Sequence, residues 1–119
     1  MTTRKELGRR GEDIAAMYLR DVGFRIVERN WRCPEGEIDI VAIDDDDVVV
    51  VEVKARRGHA SGHPLEAVTP AKVSRLRRLA AAWTLAHPTP QRGLRIDVIG
   101  VTMGRPEGEI IHHVEGVGA

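Results

Sequence analysis

Two carboxylates and an amine stand in two apolar segments of the sequence, at a spacing that suits one chemical site. Asp39 lies in the segment 37–43, whereas Glu52 and Lys54 lie in the valine-rich segment 48–55. The β-branched residues of both segments are typical of strands. Because side chains alternate along a strand, Glu52 and Lys54 are expected on one face. The pattern therefore predicts an acidic and basic site on neighbouring strands.

The register of these two strands decides whether the carboxylates meet. Between them lies the run Asp44–Asp47, which is a poor strand former and a good turn. A hairpin that turns symmetrically about Asp45 and Asp46 would place Asp39 opposite Glu52, with Cβ atoms about 5 Å apart. Like charges in that position destabilise a sheet, and a divalent cation between them reverses this effect. The sequence therefore predicts a Mg²⁺ or Mn²⁺ site at these two carboxylates.

Phosphodiester hydrolysis is the reaction that suits this set of residues. A bound Mg²⁺ polarises a phosphate and makes hydroxide available near neutral pH. Lys54, one pleat along from Glu52, would orient the attacking water or stabilise the charge that grows on the phosphate. The alternative interpretation is that Asp39, Glu52 and Lys54 form ordinary ion pairs on a solvated face, where such pairs contribute little. The pattern alone leaves both interpretations open.

The elements that must position these residues follow from periodicity and capping. Thr3 with Glu6 predicts a helix that ends near Asp21, and Thr69 before a proline predicts a second helix that ends near His87. Strands are predicted over residues 24–31 (with a break in the alternation at Val27), 37–43, 48–55, 94–103 and 109–114. The order αβββαββ predicts an α/β fold in which helices flank a mixed sheet.

Length and composition narrow the class of protein. A chain of 119 residues fits a single domain, 1–119, and its apolar and charged content suits a globular protein without a membrane span. Cys33 is the only cysteine, which excludes an internal disulfide and makes the reducing cytoplasm the expected location. The formal net charge of zero argues against a protein that coats nucleic acid through bulk charge. A local basic face remains compatible with it.

Several basic residues are candidates for contacts with the phosphates of a nucleic acid: Arg56, Arg57, Lys72 and Arg75. Lys72 falls in the first turn of a predicted helix, where a cation is unfavourable for the helix dipole. Basic faces of this kind supply most non-specific affinity for DNA. The alternative for each residue is a solvated surface position.

Other polar residues have simpler interpretations. Asp97 lies in an apolar segment and should have a structural partner such as Arg95 or a backbone donor. Glu37, on the face of Asp39, either borders the site or is exposed at the start of a strand. His59 and His63 lie in a glycine-rich loop rather than a helix, so we expect no zinc site there.

Several segments together resemble the uncharacterised YraN-like family of bacterial proteins: Gly11-Glu12, Gly36-Glu37-Ile38-Asp39, Val51-Glu52-Val53-Lys54-Ala55-Arg56, Lys72 and Arg95-Ile96-Asp97-Val98. The resemblance covers nearly the whole chain. It implies a restriction-endonuclease-like fold of the PD-(D/E)xK superfamily, remotely similar to archaeal Holliday-junction resolvases. In those resolvases a glutamate of the first helix joins an Asp, a Glu and a Lys, and the matching residues here are Glu12, Asp39, Glu52 and Lys54. The proline of the motif, which supplies no ligand, is replaced by Ile38.

The residues and the resemblance together lead us to expect a Mg²⁺- or Mn²⁺-dependent endonuclease that acts on DNA, including branched DNA. A homodimer is expected by analogy with the resolvases, because a branched substrate offers two cleavable strands. The first alternative is a nucleic-acid-binding module that has this fold but no turnover. The second is a nuclease directed at RNA.

Overall fold

The helices and strands follow one another along the chain in the predicted order. The computed structural model describes residues 3–58, 66, 68–88 and 93–118. Its elements are α1 (Arg4–Asp21), β1 (Arg25–Cys33), β2 (Gly36–Asp44), β3 (Asp47–Arg57), α2 (Pro70–Ala86), β4 (Gly93–Met103) and β5 (Ile110–Val114). The expected αβββαββ order is confirmed, and the fold is of the mixed α/β class.

Both helices begin where the sequence provides a threonine cap. The side chain of Thr3 accepts a hydrogen bond from the N–H of Glu6, and that of Thr69 accepts one from the N–H of Lys72, each at 3.1 Å. Each bond satisfies a donor that the first turn of a helix leaves unpaired. Just beyond α1, Gly23 has a φ of 101°, a left-handed conformation that glycine adopts without steric cost.

Strands β2 and β3 pair in the register that the sequence predicts. Ile40 lies opposite Val51, and Asp44 lies opposite Asp47 across a two-residue turn. Asp45 in this turn has a φ of 55°, a left-handed conformation that aspartate tolerates in tight hairpins. The run of aspartates is therefore the turn of the hairpin, as expected.

A β-bulge interrupts the antiparallel pairing of β1 with β2. The register shifts between Ile26 and Glu28, so that Val27 is the extra residue, and its side chain is 42% exposed. A bulge leaves one residue unpaired and increases the local twist. It accounts for the break in alternation at Val27.

The sheet is mixed because α2 carries the chain across to a parallel strand. The strand order is β1-β2-β3-β4-β5; β4 runs parallel to β3, and the other neighbouring pairs are antiparallel. A parallel neighbour requires a crossover of a dozen or more residues, which α2 supplies. The carboxyl-terminal half of β3 therefore has β4 on one side and the cavity described below on the other.

Each face of the sheet carries an apolar core covered by one helix. We call them the α1 core, which includes Ala15, Leu19, Val49 and Val51, and the α2 core, which includes Val48, Val50, Leu79 and Trp83. The four consecutive valines of β3, at positions 48–51, are all 0% exposed and alternate between the two cores. The expected arrangement of helices on the sides of a mixed sheet is confirmed.

A buried polar network joins α1, β4 and β5. Asp97, which is 0% exposed, accepts two hydrogen bonds from Arg95, at 2.9 and 3.1 Å, and one from the N–H of Gly116. His113 Nε2 lies 2.7 Å from Asp97 Oδ2, and His113 Nδ1 lies 2.8 Å from the hydroxyl of Tyr18. The expected partners of Asp97, Arg95 and a backbone donor, are confirmed.

Candidate metal and phosphate site

A cavity of about 280 Å³ opens where β2 and β3 part at the end of their ladder. The last backbone pair is Ile40 with Val51, and Asp39 and Glu52 follow on each strand. The side chain of Asp39 takes over the pairing here, since its Oδ2 accepts a hydrogen bond from the N–H of Val53 at 2.8 Å. The charged residues that line the cavity are Glu37, Asp39, Glu52, Lys54, Lys72 and Arg75.

The surroundings of Asp39 disfavour the ionised form of its carboxyl group. Burial is the largest cause that raises its pKa to about 8, and the carboxylates of Glu52 and Glu12 act in the same direction. The hydrogen bond from Val53 opposes them without cancelling them. A carboxyl group with so high a pKa lies among like charges and apolar surroundings rather than beside a cation.

Glu52 stands between two ammonium groups. Its Oε2 lies 3.1 Å from Lys72 Nζ and 3.6 Å from Lys54 Nζ. Burial lowers the pKa of Lys54, the adjacent Lys72 acts in the same direction, and Glu52 opposes both. Lys54 is therefore an amine that gives up its proton more readily than a surface lysine.

Helix α1 contributes a further carboxylate to the cavity's edge. Carboxylate oxygens of Glu12, Glu37 and Asp39 lie within 4.8 Å of one another. Asn30 holds two of them in place, because its Nδ2 donates to Glu12 at 2.8 Å and to Glu37 at 2.9 Å. Burial raises the pKa of Glu12, and the hydrogen bond from Asn30 partly offsets this effect. The residue that the family resemblance matches with a catalytic glutamate thus lies beside Asp39.

Gly11 allows α1 to approach the sheet closely beside Glu12. A Cβ added at Gly11 would lie 2.6 Å from the Cβ of Ala55 in β3. Carbon atoms in favourable contact are about 3.5–4.0 Å apart, so no larger residue fits without a shift of the backbone. The close contact fixes the position from which Glu12 reaches the acidic group.

The predicted phosphate-binding residues divide into two pairs. Lys72 and Arg75 line the cavity, and the guanidinium of Arg75 lies over Gly36, whose added Cβ would be 2.8 Å from Arg75 Nη2. Arg56 and Arg57 stand further along β3 and are not among the described residues that line it. A contact of any of the four with phosphate stays a prediction.

Sequence reasoning gave too little weight to Glu37 and did not identify Asn30. Glu37 is half-buried and belongs to the acidic group, although an exposed position at the start of a strand was the alternative considered from the sequence. The signal was its place two residues before Asp39 on one strand face. Asn30 has a φ of 55°, and nothing in the sequence reveals that this conformation turns its amide toward α1.

One histidine belongs to the buried network, and the two for which zinc was considered lie outside the described residues. His113 belongs to the network of Asp97, while His59 and His63 lie outside the described residues.

Within the described ranges, no helix has both the length and the apolar character required to cross a membrane. The expected cytoplasmic location stays a prediction.

The fold and cavity define a small mixed α/β protein whose charged site lies at the end of a hairpin ladder. The model of a family described as "Uncharacterised protein family UPF0102" matches residues 11–101, a range that contains Glu12, Asp39, Glu52 and Lys54. The chain belongs to this family, so the family membership expected from the sequence is confirmed.

This chain matches its curated relatives over most of their length, and they share one family name. A UPF0102 protein of Clavibacter michiganensis is 54% identical over 93% of this chain and 97% of its own length. Another, of Arthrobacter sp. strain FB24, is 51% identical over 99% of this chain and 100% of its own. A third, of Streptomyces coelicolor, is 50% identical over 98% and 92%. These names carry no activity, so the function must be inferred from the site.

Proposed function

We propose that this protein is a divalent-metal-dependent endonuclease that hydrolyses phosphodiester bonds in DNA, with a restriction-endonuclease-like fold of the PD-(D/E)xK kind. The observation that carries the proposal is the meeting of Asp39, Glu52 and Lys54 in one cavity. An isolated ion pair on the surface would not bring a third and a fourth carboxylate, from Glu12 and Glu37, to the same place.

The donor set fits Mg²⁺ or Mn²⁺. These ions prefer carboxylate oxygens, and the charge of Asp39, whose pKa is raised to about 8, is one that a cation would stabilise. Asp39 and Glu52 would hold the ion, and Glu12 and Glu37 would support it. When bound, such an ion polarises the scissile phosphate and makes a water nucleophile available near neutral pH.

The other residues of the cavity have roles in handling the substrate. Lys54 would orient the nucleophile or stabilise charge that develops on the phosphate, because its amine lies beside Glu52. Lys72 and Arg75 would bind the phosphate itself, as their charges face the same cavity. By analogy with the resolvases, the proposed substrates include branched DNA and the proposed active form is a homodimer.

Single-turnover cleavage of linear duplex DNA, branched DNA and RNA in Mg²⁺ or Mn²⁺ tests the proposal. We expect the wild type to cut DNA, and we expect Glu52→Gln and Asp39→Asn each to reduce the rate at least about 100-fold. The matched control is Glu109→Gln, which removes an exposed carboxylate away from the cavity and should leave the rate unchanged. Cleavage of RNA in preference to DNA would redirect the proposal to the other nucleic acid.

Thermal unfolding tests the metal site without a substrate. A ligand that binds only the folded state at about 100 times its Kd stabilises it by about 2.7 kcal/mol. We therefore expect Mn²⁺ to raise the Tm of the wild type and of Glu109→Gln but not that of Asp39→Asn. Equal shifts in all three proteins would show that the ion binds elsewhere.

The second candidate function is a nucleic-acid-binding module without turnover. The ion pairs of Glu52 with Lys72 and Lys54 favour it, because they already neutralise a carboxylate that a metal would need. Such a module would bind DNA equally well as wild type and as Glu52→Gln, and neither protein would cut it. That result, with no Mn²⁺-dependent shift in Tm, would replace the nuclease by the module.

A further inference from the structure

A second cavity, of about 330 Å³, adjoins the first. It is lined by residues of α1 and β1, and the two cavities have Glu37 in common. Its cationic residues are Arg4, Lys5, Arg9, Arg29 and Arg32. The group of carboxylates formed by Glu12, Glu37 and Asp39 thus lies at the junction of two cavities that both contain cations, rather than at the end of one.

The cations of the second cavity fall into two kinds. Those of β1 are engaged, because Arg29 lies 2.7 Å from Asp13 and Arg32 lies 3.3 Å from Glu37. Those of α1 differ, since Arg4, Lys5 and Arg9 are exposed and make no ion pair or side-chain hydrogen bond with any residue that the structure describes. Their spacing in the helix places them on one side of α1. We call these three residues the α1 cations.

On both sides of the carboxylates, cations lie in the first turn of a helix. Arg4 and Lys5 open α1, and Lys72 lies in the first turn of α2, which contains no acidic residue. Cations at the N-terminus of a helix are unfavourable for its dipole, whereas an anion there gains from both the dipole and the side chains. Both cavities are therefore lined by cations from the first turn of a helix, where an anion is favoured.

We propose that the two cavities form one continuous path for a nucleic-acid strand, in which the α1 cations bind phosphates on one side of the scissile bond and Lys72 and Arg75 bind those on the other. This inference rests on the proposed nuclease function and deepens it. A site with phosphate contacts on both sides of the reacting bond accommodates a bond within a strand and needs no free end. The substrate is therefore an internal phosphodiester bond of a polynucleotide.

Salt-dependent binding tests the path. In a Glu52→Gln background with Mg²⁺, the affinity for a labelled DNA oligonucleotide is measured over a range of salt concentrations, with and without Arg4→Gln, Lys5→Gln and Arg9→Gln together. Each lost phosphate contact reduces the slope of log K against log salt by about 0.7 to 0.9. We expect the slope to fall by about 2 to 3 and the affinity at low salt to fall at least about 10-fold.

The matched control removes the same charge from other exposed arginines. Arg10→Gln, Arg20→Gln and Arg25→Gln together alter residues that line neither cavity. The slope should stay within experimental error of that of the parent. Circular dichroism and thermal unfolding confirm that both triple variants fold. In a further variant, Arg4→Lys with Arg9→Lys, the charge is kept and the slope should be kept as well.

The outcomes separate this inference from the proposed function. If the parent binds and the two triple variants lose the same slope, the α1 cations make no phosphate contacts and the path is wrong, while the nuclease proposal stands. If the parent binds no DNA at any salt concentration, both fail. Cleavage of circular single-stranded DNA by the wild type is required by both the path and the proposed endonuclease, and cleavage confined to the ends of linear DNA would overturn both.

Discussion

Buried Asp97 and half-buried Asp39 differ in how their surroundings affect the charged form of the carboxyl group. Burial alone would raise the pKa of Asp97, but hydrogen bonds from His113, Arg95 and the N–H of Gly116 outweigh it and lower the pKa. Burial raises the pKa of Asp39 to about 8, and its neighbours are carboxylates. Groups of the protein itself stabilise the charged form of Asp97, whereas those around Asp39 disfavour its charged form, which is one basis of the proposed metal site.

Replacing Asp97 by asparagine should destabilise the fold in a pH-dependent way. We expect Asp97→Asn to lower the free energy of unfolding by about 3 kcal/mol at neutral pH, because half-buried Arg95 and His113 lose their charged, buried acceptor. The pKa of Asp97 lies below its ordinary value of 3.8, so this stabilisation is present above that value. It is lost as the pH falls through the lowered pKa, and the difference between wild type and variant, measured by urea unfolding, should shrink there.

A surface carboxylate provides the control for this prediction. The hydrogen bond from Arg105 lowers the pKa of Glu107 too, but Glu107 is exposed, so solvent and salt screen the pair. Glu107→Gln should leave the free energy of unfolding unchanged within error at neutral pH. Equal losses for Asp97→Asn and Glu107→Gln would contradict a specific role for the buried network.

At the residue scale, sequence reasoning succeeds where contacts follow from the geometry of one hairpin. The expected proximity of Asp39, Glu52 and Lys54 required only the period of a strand and a symmetric turn. Asn30 could not be found in this way, because its contacts join β1 to α1 and depend on a left-handed backbone conformation. The position of Lys72 beside Glu52 depends likewise on how α2 packs across the sheet.

At the scale of the element, the two glycines of α1 lie in opposite environments. An added Cβ at Gly11 would meet the Cβ of Ala55 at 2.6 Å, whereas one at Gly8 would meet nothing within 4 Å. Alanine is the better helix former by about 1 kcal/mol in either position. In α1, packing therefore requires a glycine only at position 11, because the helix makes a close contact with β3 there.

Alanine substitutions at these glycines should change stability in opposite directions. Gly8→Ala should raise the free energy of unfolding by about 0.5–1 kcal/mol through helix propensity. Gly11→Ala should lower it by about 1–2 kcal/mol, because the overpacking against Ala55 exceeds the gain in propensity. Urea unfolding of both variants measures the difference. A stabilised Gly11→Ala protein would mean that α1 does not touch β3 at this point.

The order and type of the elements could be predicted because each has a local signal. Threonine caps mark the starts of both helices, and the aspartate run marks the hairpin. The position of β4 had no such signal. Its parallel pairing with β3 over Asp47–Arg57 depends on the path of α2, a long-range packing choice that no short segment of the sequence encodes.

At the scale of the molecule, β3 couples the two cores. Its four consecutive valines, at positions 48–51, alternate between the α1 core and the α2 core and are all 0% exposed, so each core depends on the same strand. Loss of either core would expose one face of the central strand to water. Unfolding is therefore expected as one cooperative transition of the described fold.

Truncations on the two faces should act on this single transition. We expect Leu19→Ala in the α1 core and Leu79→Ala in the α2 core each to lower the free energy of unfolding by about 3 kcal/mol, since both side chains are fully buried. The double variant should lose the sum to within about 0.5 kcal/mol, with the same m value. Two separate transitions in either single variant would show that the cores fold independently.

Because the N–H of Val53 donates a hydrogen bond to Asp39 Oδ2, this backbone amide is sensitive to changes at the carboxylate. Whatever draws that oxygen away, a bound ion or a replaced side chain, removes the acceptor from an amide proton. The NMR signal of Val53 should then move, and its exchange with deuterium should quicken. One backbone resonance would thus report occupancy of the proposed metal site without any substrate.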